Sequence, residues 1–180
     1  MARKHLMVDL ETFGTGVDSV VVSVGAAVFD PTEGATLNEP GRQMWRLNIQ
    51  DQLDRGRTVT GATIKWWFNQ SDEAIRDWNH AESTCKGMTE FEGEFKELWK
   101  SWNCQYIWSH GSTFDVMILD SMFNGKCPWK FWDVRDTRTL LHVTNMNIDR
   151  AQGTHHSAID DAVAQAQTIC KSWKVASGTS

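Results

Sequence analysis

His5-Leu6-Met7-Val8-Asp9-Leu10-Glu11, broken at once by Thr12-Phe13-Gly14-Thr15-Gly16, is the stretch from which the rest of the chain can be read. Side chains on a β-strand alternate between faces, so Leu6, Val8 and Leu10 share one side while Met7, Asp9 and Glu11 share the other. The two carboxylates therefore project together, and their like charges repel. Buried and isolated, such a pair is costly or takes up a proton, whereas a divalent cation between the two turns repulsion into ligation. Hard oxygen donors favour magnesium or manganese over zinc. A strand end carrying two solvated acids satisfies the same pattern.

Outward from this strand, Ser19 to Phe29 is valine-rich and reads as a buried strand. Asp30-Pro31 and Glu33-Gly34 supply a turn before a third strand around Gln43 to Ile49. No long helical pattern separates these runs, so the sheet opens with antiparallel pairing. Helical spacing begins with Ile64, Trp67 and Phe68 and continues through Ile75 and Trp78 after Ser71, an N-cap ahead of Asp72 and Glu73. Phe91, Phe95, Leu98 and Trp102 form a clearer amphipathic stripe. Tyr106 to Ser109 reads as a strand, and His110-Gly111-Ser112-Thr113 leads into a helix with Asp115 in its first turn. A short strand near residue 135, a helix over Thr137 to Val143, and a final helix carrying Ile159, Val163, Ala166, Ile169, Cys170 and Trp173 complete the order. The prediction is an α/β fold with a mixed sheet and flanking helices, one domain over residues 1–175 with a frayed polar tail over 176–180.

Composition narrows the function classes. The 180 residues are 41% hydrophobic and 23% charged, ordinary for a soluble globular protein. A net charge of -5 argues against a protein that coats nucleic acid through a generally basic surface, but not against an enzyme that acts on it. Residues 126–156 hold five Lys or Arg against three Asp or Glu, a locally basic stretch. Ten tryptophans against one tyrosine imply bulky core packing with some rings free to stack on a ligand. The four cysteines are widely spaced and form no C-x-x-C pair, which removes support for a zinc knuckle and suits a reduced, cytoplasmic setting. Neither a secretory signal nor a membrane-spanning run is legible.

The remaining acids gain meaning in combination. Asp115 alone is a helix-start acid favoured by the dipole, and His155-His156 before a helix can be a polar N-terminus. Together, Val8-Asp9-Leu10-Glu11-Thr12, then Ser109-His110-Gly111-Ser112-Thr113-Phe114-Asp115, then His156-Ser157-Ala158-Ile159-Asp160-Asp161-Ala162 resemble the motifs of the DEDDh (DnaQ-like) branch of the DEDD 3′-5′ exonucleases. Thr63-Ile64-Lys65-Trp66-Trp67-Phe68-Asn69-Gln70 and Asp136-Thr137-Arg138-Thr139-Leu140 are similar to segments of its subgroup of RNase T-related exoribonucleases and phage exonucleases.

The resemblance implies an RNase H-like fold, two Mg²⁺ or Mn²⁺ ions held by Asp9, Glu11, Asp115 and Asp161, and His156 as general base. Helical periodicity does not choose between Asp160 and Asp161, or chemistry between His155 and His156; motif spacing selects Asp161 and His156. An imidazole, with an ordinary pKa of about 6.5, suits proton removal near neutral pH. The implied reaction releases 5′-mononucleotides from 3′ ends, with DNA or RNA as partner, a lean toward single-stranded DNA, no membrane partner, and a homodimer among the allowed assemblies. The expected setting is the cytoplasm of a bacterial cell or phage-infected host. Thr12 through its backbone, Phe13 by packing, Trp66 and Trp67 by stacking, and Arg138 as a cation are the candidate substrate contacts; core roles for the aromatic residues are the alternative. Rival readings are an exoribonuclease, a catalytically silent strand-end or protein-binding module, and an RNase H-like endonuclease or integrase.

Overall fold

A computed structural model describes residues 4–32, 34–35, 41–149 and 156–178. Strand β1 (Lys4–Thr12) lies between β2 (Val21–Asp30), to which it is antiparallel, and β5 (Cys104–Ser109), to which it is parallel. The free edge of β2 pairs with β3 (Gly34–Ala35) and β4 (Arg42–Arg46), and β5 pairs in parallel with β6 (Val134–Asp136). The expected antiparallel opening and mixed sheet are both present. Helices α1 (Ile49–Asp54), α2 (Gly61–Trp67), α3 (Asp72–Trp78), α4 (Met88–Ser101), α5 (Asp115–Met122), α6 (Thr137–Thr144) and α7 (Ala158–Ser177) complete the domain.

The two-residue period of β1 divides the core. Leu6, Val8 and Leu10 pack with Phe91 and Phe95 of α4 and with Val116 and Leu119 of α5. Met7, from the opposite face, packs with Ala162, Ala166 and Ile169 of α7. Asp9 and Glu11 belong to this α7 side by alternation. At Gly25, paired with Asp9, a Cβ would lie 2.1 Å from the Ala158 carbonyl oxygen, so glycine is what lets the first turn of α7 seat directly on the sheet.

Several boundaries differ from the sequence reading. The third strand ends at Arg46, and Asn48 instead caps α1, its side-chain oxygen accepting the Asp51 N–H at 2.7 Å. That six-residue helix is too short to display a period. Phe68, placed on an apolar stripe by spacing, is 80% exposed because α2 ends one residue before it. Trp99 is buried on α4, while Trp102 is the cap residue just beyond that helix. Helix α7 runs to Ser177, two residues into the segment read as a tail.

Buried beside Phe29, Tyr106 and Trp173, His5 accepts the Trp108 indole N–H at 2.9 Å through Nδ1. Burial lowers its pKa to about 4, opposed by Asp30 and assisted by Arg135. The unfolded chain then binds a proton that the folded chain refuses, so this stabilising contribution is present above about 6.5 and lost as pH falls through about 4. His5→Asn should abolish that part of the slope, seen as convergence of the wild-type and variant unfolding free energies between pH 7 and pH 4. Gly25→Ala should lower the melting temperature by roughly 5 °C or more, since backbone cannot yield cheaply to the new methyl. Gly93→Ala, where a Cβ meets nothing within 4 Å, should leave it unchanged or raised.

Candidate active site

The C-terminal ends of parallel strands β1, β5 and β6 emerge along one edge of the sheet, the usual place for ligand sites in open α/β folds. A register shift between Glu11 and Thr12 marks a bulge at the end of β1, a device that re-aims side chains. Across from this end, α7 presents Asp161 in its first turn and Gln165 one turn later, both buried. The Gln165 amide donates to Asp9 Oδ1 at 2.7 Å. One ligating atom from each of Glu11, His156 and Asp161 lies within 4.8 Å of the other two. Asp160 is only half-buried and is not in that cluster, so tertiary packing favours Asp161. His155 lies outside the described residues.

Asp115 arrives from the other side of β1. Strand β5 ends at Ser109, the chain turns at Gly111 with φ +117°, and α5 begins at Asp115. Its Oδ1 accepts the Leu10 N–H at 3.3 Å, fastening this carboxylate to the strand between Asp9 and Glu11. Burial pushes the Asp115 pKa up to about 7, against the Ser109 hydroxyl, the Leu10 and Asp115 N–H groups and the charge of Arg138. Glu11 stands well above the ordinary carboxylate range, through burial first and then repulsion from Asp9, Asp161, Asp115 and Asp77. The four acids are thus gathered rather than scattered. A buried carboxylate group of this kind, joined by an imidazole, fits a divalent cation by its donor chemistry, because a cation removes both the repulsion and the desolvation penalty.

The expected substrate contacts separate into two kinds. Trp67 is a correction: only 3% exposed, its indole N–H donates to the Thr12 carbonyl at 2.9 Å, so its ring has no open face for a base. Thr12 is correspondingly committed, its carbonyl to Trp67 and its hydroxyl to the Gly14 carbonyl at 2.7 Å. Phe13 meets Trp78 edge-on at 4.9 Å. Trp66 is 42% exposed and meets the His156 ring edge-on at 4.9 Å. His156 itself has φ +65°, a left-handed conformation uncommon for a residue with a Cβ. Arg138 is exposed and lies against Gly111.

Gln165 and Asp77 were missed by sequence reasoning. Gln165 stands four residues after Asp161, a helical spacing that shares a face and was available as a signal. Asp77 bonds Arg46 at 3.4 Å and is also hydrogen-bonded by Ser157, while its Oδ2 is buried without a hydrogen-bond partner among the described residues. Burial raises its pKa. Nothing in the local sequence around Asp77 signals this placement.

The architecture is that of exonuclease I, an RNase H-like fold. One product-bound exonuclease I structure aligns with a TM-score of 0.63 and 14% identity, covering 97% of this chain and 44% of that one. A zinc-bound complex of Escherichia coli exonuclease I with single-stranded DNA aligns with a TM-score of 0.63 and 15% identity, covering 98% of this chain and 41% of that one. The chain therefore spans less than half the length of these proteins, and at such identity the likeness concerns fold. An exodeoxyribonuclease of Enterobacteria phage T4 is 29% identical over 161 residues, covering 75% of this chain and 69% of the relative. The 3′-5′ exoribonuclease Rv2179c-like domain matches residues 4–173, a span that takes in β1, the Asp115 turn and nearly all of α7. Since that match leaves only the chain ends outside it, the protein belongs to the Rv2179c-like family of 3′-5′ exonuclease domains.

Proposed function

We propose that this domain removes 5′-mononucleotides one at a time from the 3′ ends of single-stranded DNA, using two Mg²⁺ or Mn²⁺ ions. The observation that carries the reading is the meeting of Glu11, Asp161 and His156 within 4.8 Å, with Asp9 and Asp115 fastened alongside. The name of the phage relative supports DNA as substrate. The family description favours RNA, and an exoribonuclease is the second reading. A silent binding module would have no need to keep these acids, three of them buried, gathered with a histidine against their mutual repulsion.

Asp9, Glu11, Asp115 and Asp161 would hold the ions. When bound, these supply Lewis acidity that makes water a competent nucleophile near neutral pH and offset charge on the departing 3′ oxygen. His156 accepts the proton of the attacking water, a role typically worth ~100- to 10,000-fold in rate. Trp66, packed edge-on against that imidazole, limits its rotation and leaves part of the indole exposed for the terminal nucleotide. Trp67 and Phe13 act from beneath, holding the Thr12 loop that closes the end of β1. Gln165 orients the Asp9 carboxylate through its amide hydrogen bond.

Asp9→Ala should lower kcat on a 5′-labelled single strand by more than the ~100-fold that loss of a supporting partner costs a metal site. Wild-type trimming that proceeds equally fast from a blocked 3′ end would instead mark an endonuclease, and matched RNA strands decide the sugar preference. Mn²⁺ at a hundred times its dissociation constant should stabilise the wild type by ~2.7 kcal/mol for a single site. Calorimetric melting should show that gain shrink sharply in Asp161→Asn.

A further inference from the structure

Adjoining the turn that leads to Asp115 lies an open groove of about 510 Å³ whose walls carry His110, Arg138, His142, Asn145 and Asn147. Its size is that of a small-ligand site, and among the described residues that line it there is no carboxylate. The nearby Asp136 is engaged elsewhere: Oδ2 accepts the Ser112 N–H at 2.7 Å and Oδ1 accepts the Arg138 N–H at 2.9 Å.

Two independent features hold the cationic wall in place. At Gly111 a Cβ would lie 2.3 Å from Arg138 Nη1, and φ there is +117°. The glycine turn thus makes room for one end of the guanidinium to approach the backbone. Next to it, His110 Nδ1 and Thr137 Oγ1 are hydrogen-bonded at 2.7 Å, orienting the ring from the start of α6. The Gly111 carbonyl also accepts the Asp115 N–H at 3.3 Å, so the wall stands one turn of chain from an acid of the cluster. At the far end Asn145, left-handed at φ +52°, reverses the chain after α6 and forms the opposite wall with Asn147.

We propose that this groove receives the phosphodiester immediately upstream of the scissile one, with Arg138 as its charge partner and the His142 ring and asparagine amides as further donors. The inference rests on the exonuclease reading and adds a second anchoring point to it. A guanidinium is suited to this task because its planar fork can pair two phosphate oxygens at once. The groove would hold a strand end in register while the terminal nucleotide occupies the acidic site, and would favour substrates with at least two nucleotides beyond the one released.

The test compares three substrates: a natural thymidine trinucleotide, the same trimer with an uncharged methylphosphonate upstream of the scissile linkage, and the 4-nitrophenyl ester of thymidine 5′-monophosphate, which has no upstream phosphate. The methylphosphonate should cut wild-type kcat/KM by ~10-fold, the worth of one charge-assisted contact. Arg138→Ala should cost about as much on the natural trimer and make the enzyme nearly indifferent to the methylphosphonate. Its loss on the mononucleotide ester should be several-fold smaller, and His142→Ala should show the same ordering more weakly. Wild-type indifference to the methylphosphonate, which needs no variant, would overturn the proposal. So would equal Arg138→Ala losses on trimer and ester, a result that places Arg138 in support of Asp115 instead. Wild type inactive on both trimer and ester would remove the DNA exonuclease reading and this inference with it.

Discussion

Electrostatic repulsion among carboxylates buried at the end of β1 is the constraint to which the surrounding structure answers. Asp9 and Glu11 are adjacent on one strand face by geometry, Asp161 is brought over them by α7, and Asp115 is pinned through its Oδ1 to the Leu10 N–H. Left without counter-charge, such a group favours taking up protons, and Glu11 and Asp115 are both displaced upward in that sense. The fold holds them together through contacts made elsewhere: Met7 beneath α7, Phe91 and Phe95 on the opposite face, and the close seat of Ala158 on Gly25. The packed core, not any attraction within the cluster, supplies the stability that keeps these acids near one another.

Under the proposed function, that division lets an acidic protein act on a polyanion. The net charge of -5 describes the whole chain, whereas recognition depends on where the charges lie. The carboxylates sit together at one edge of the sheet, a site suited to cations. His110, Arg138 and His142 line a neighbouring groove with no carboxylate residue among its described lining. Under the proposed function a strand end would meet a site made positive by bound metal on one side and the Arg138 guanidinium on the other, with the long-range field of the surface contributing little at physiological ionic strength.

The aromatic residues divide along similar lines. Trp66 and Trp67 are consecutive, and α2 turns them to opposite fates: Trp67 into the core, bonded to Thr12, and Trp66 outward against His156. Phe13 and Trp78 extend the supporting layer beneath the first loop. Composition signals an excess of indole rings, but which of them faces ligand depends on the direction of each side chain from a short helix whose neighbours are distant in sequence.

Strand alternation in residues 5–11 was legible without coordinates, and so was its consequence that Asp9 and Glu11 share a face. The ordered motifs around Asp115 and Asp161 likewise pointed to an α/β fold and to the family, because local periodicity and spacing are properties of the chain itself. Tertiary structure alone brought Asp77 near enough to help raise the Glu11 pKa, buried Trp67, and joined Gln165 to Asp9 across 156 positions. Those outcomes depend on how α3 and α7 are set against β1 and β2, a matter of shape at particular points such as Gly25. A sequence records which side chains a helix carries on each face; only packing determines what that face meets.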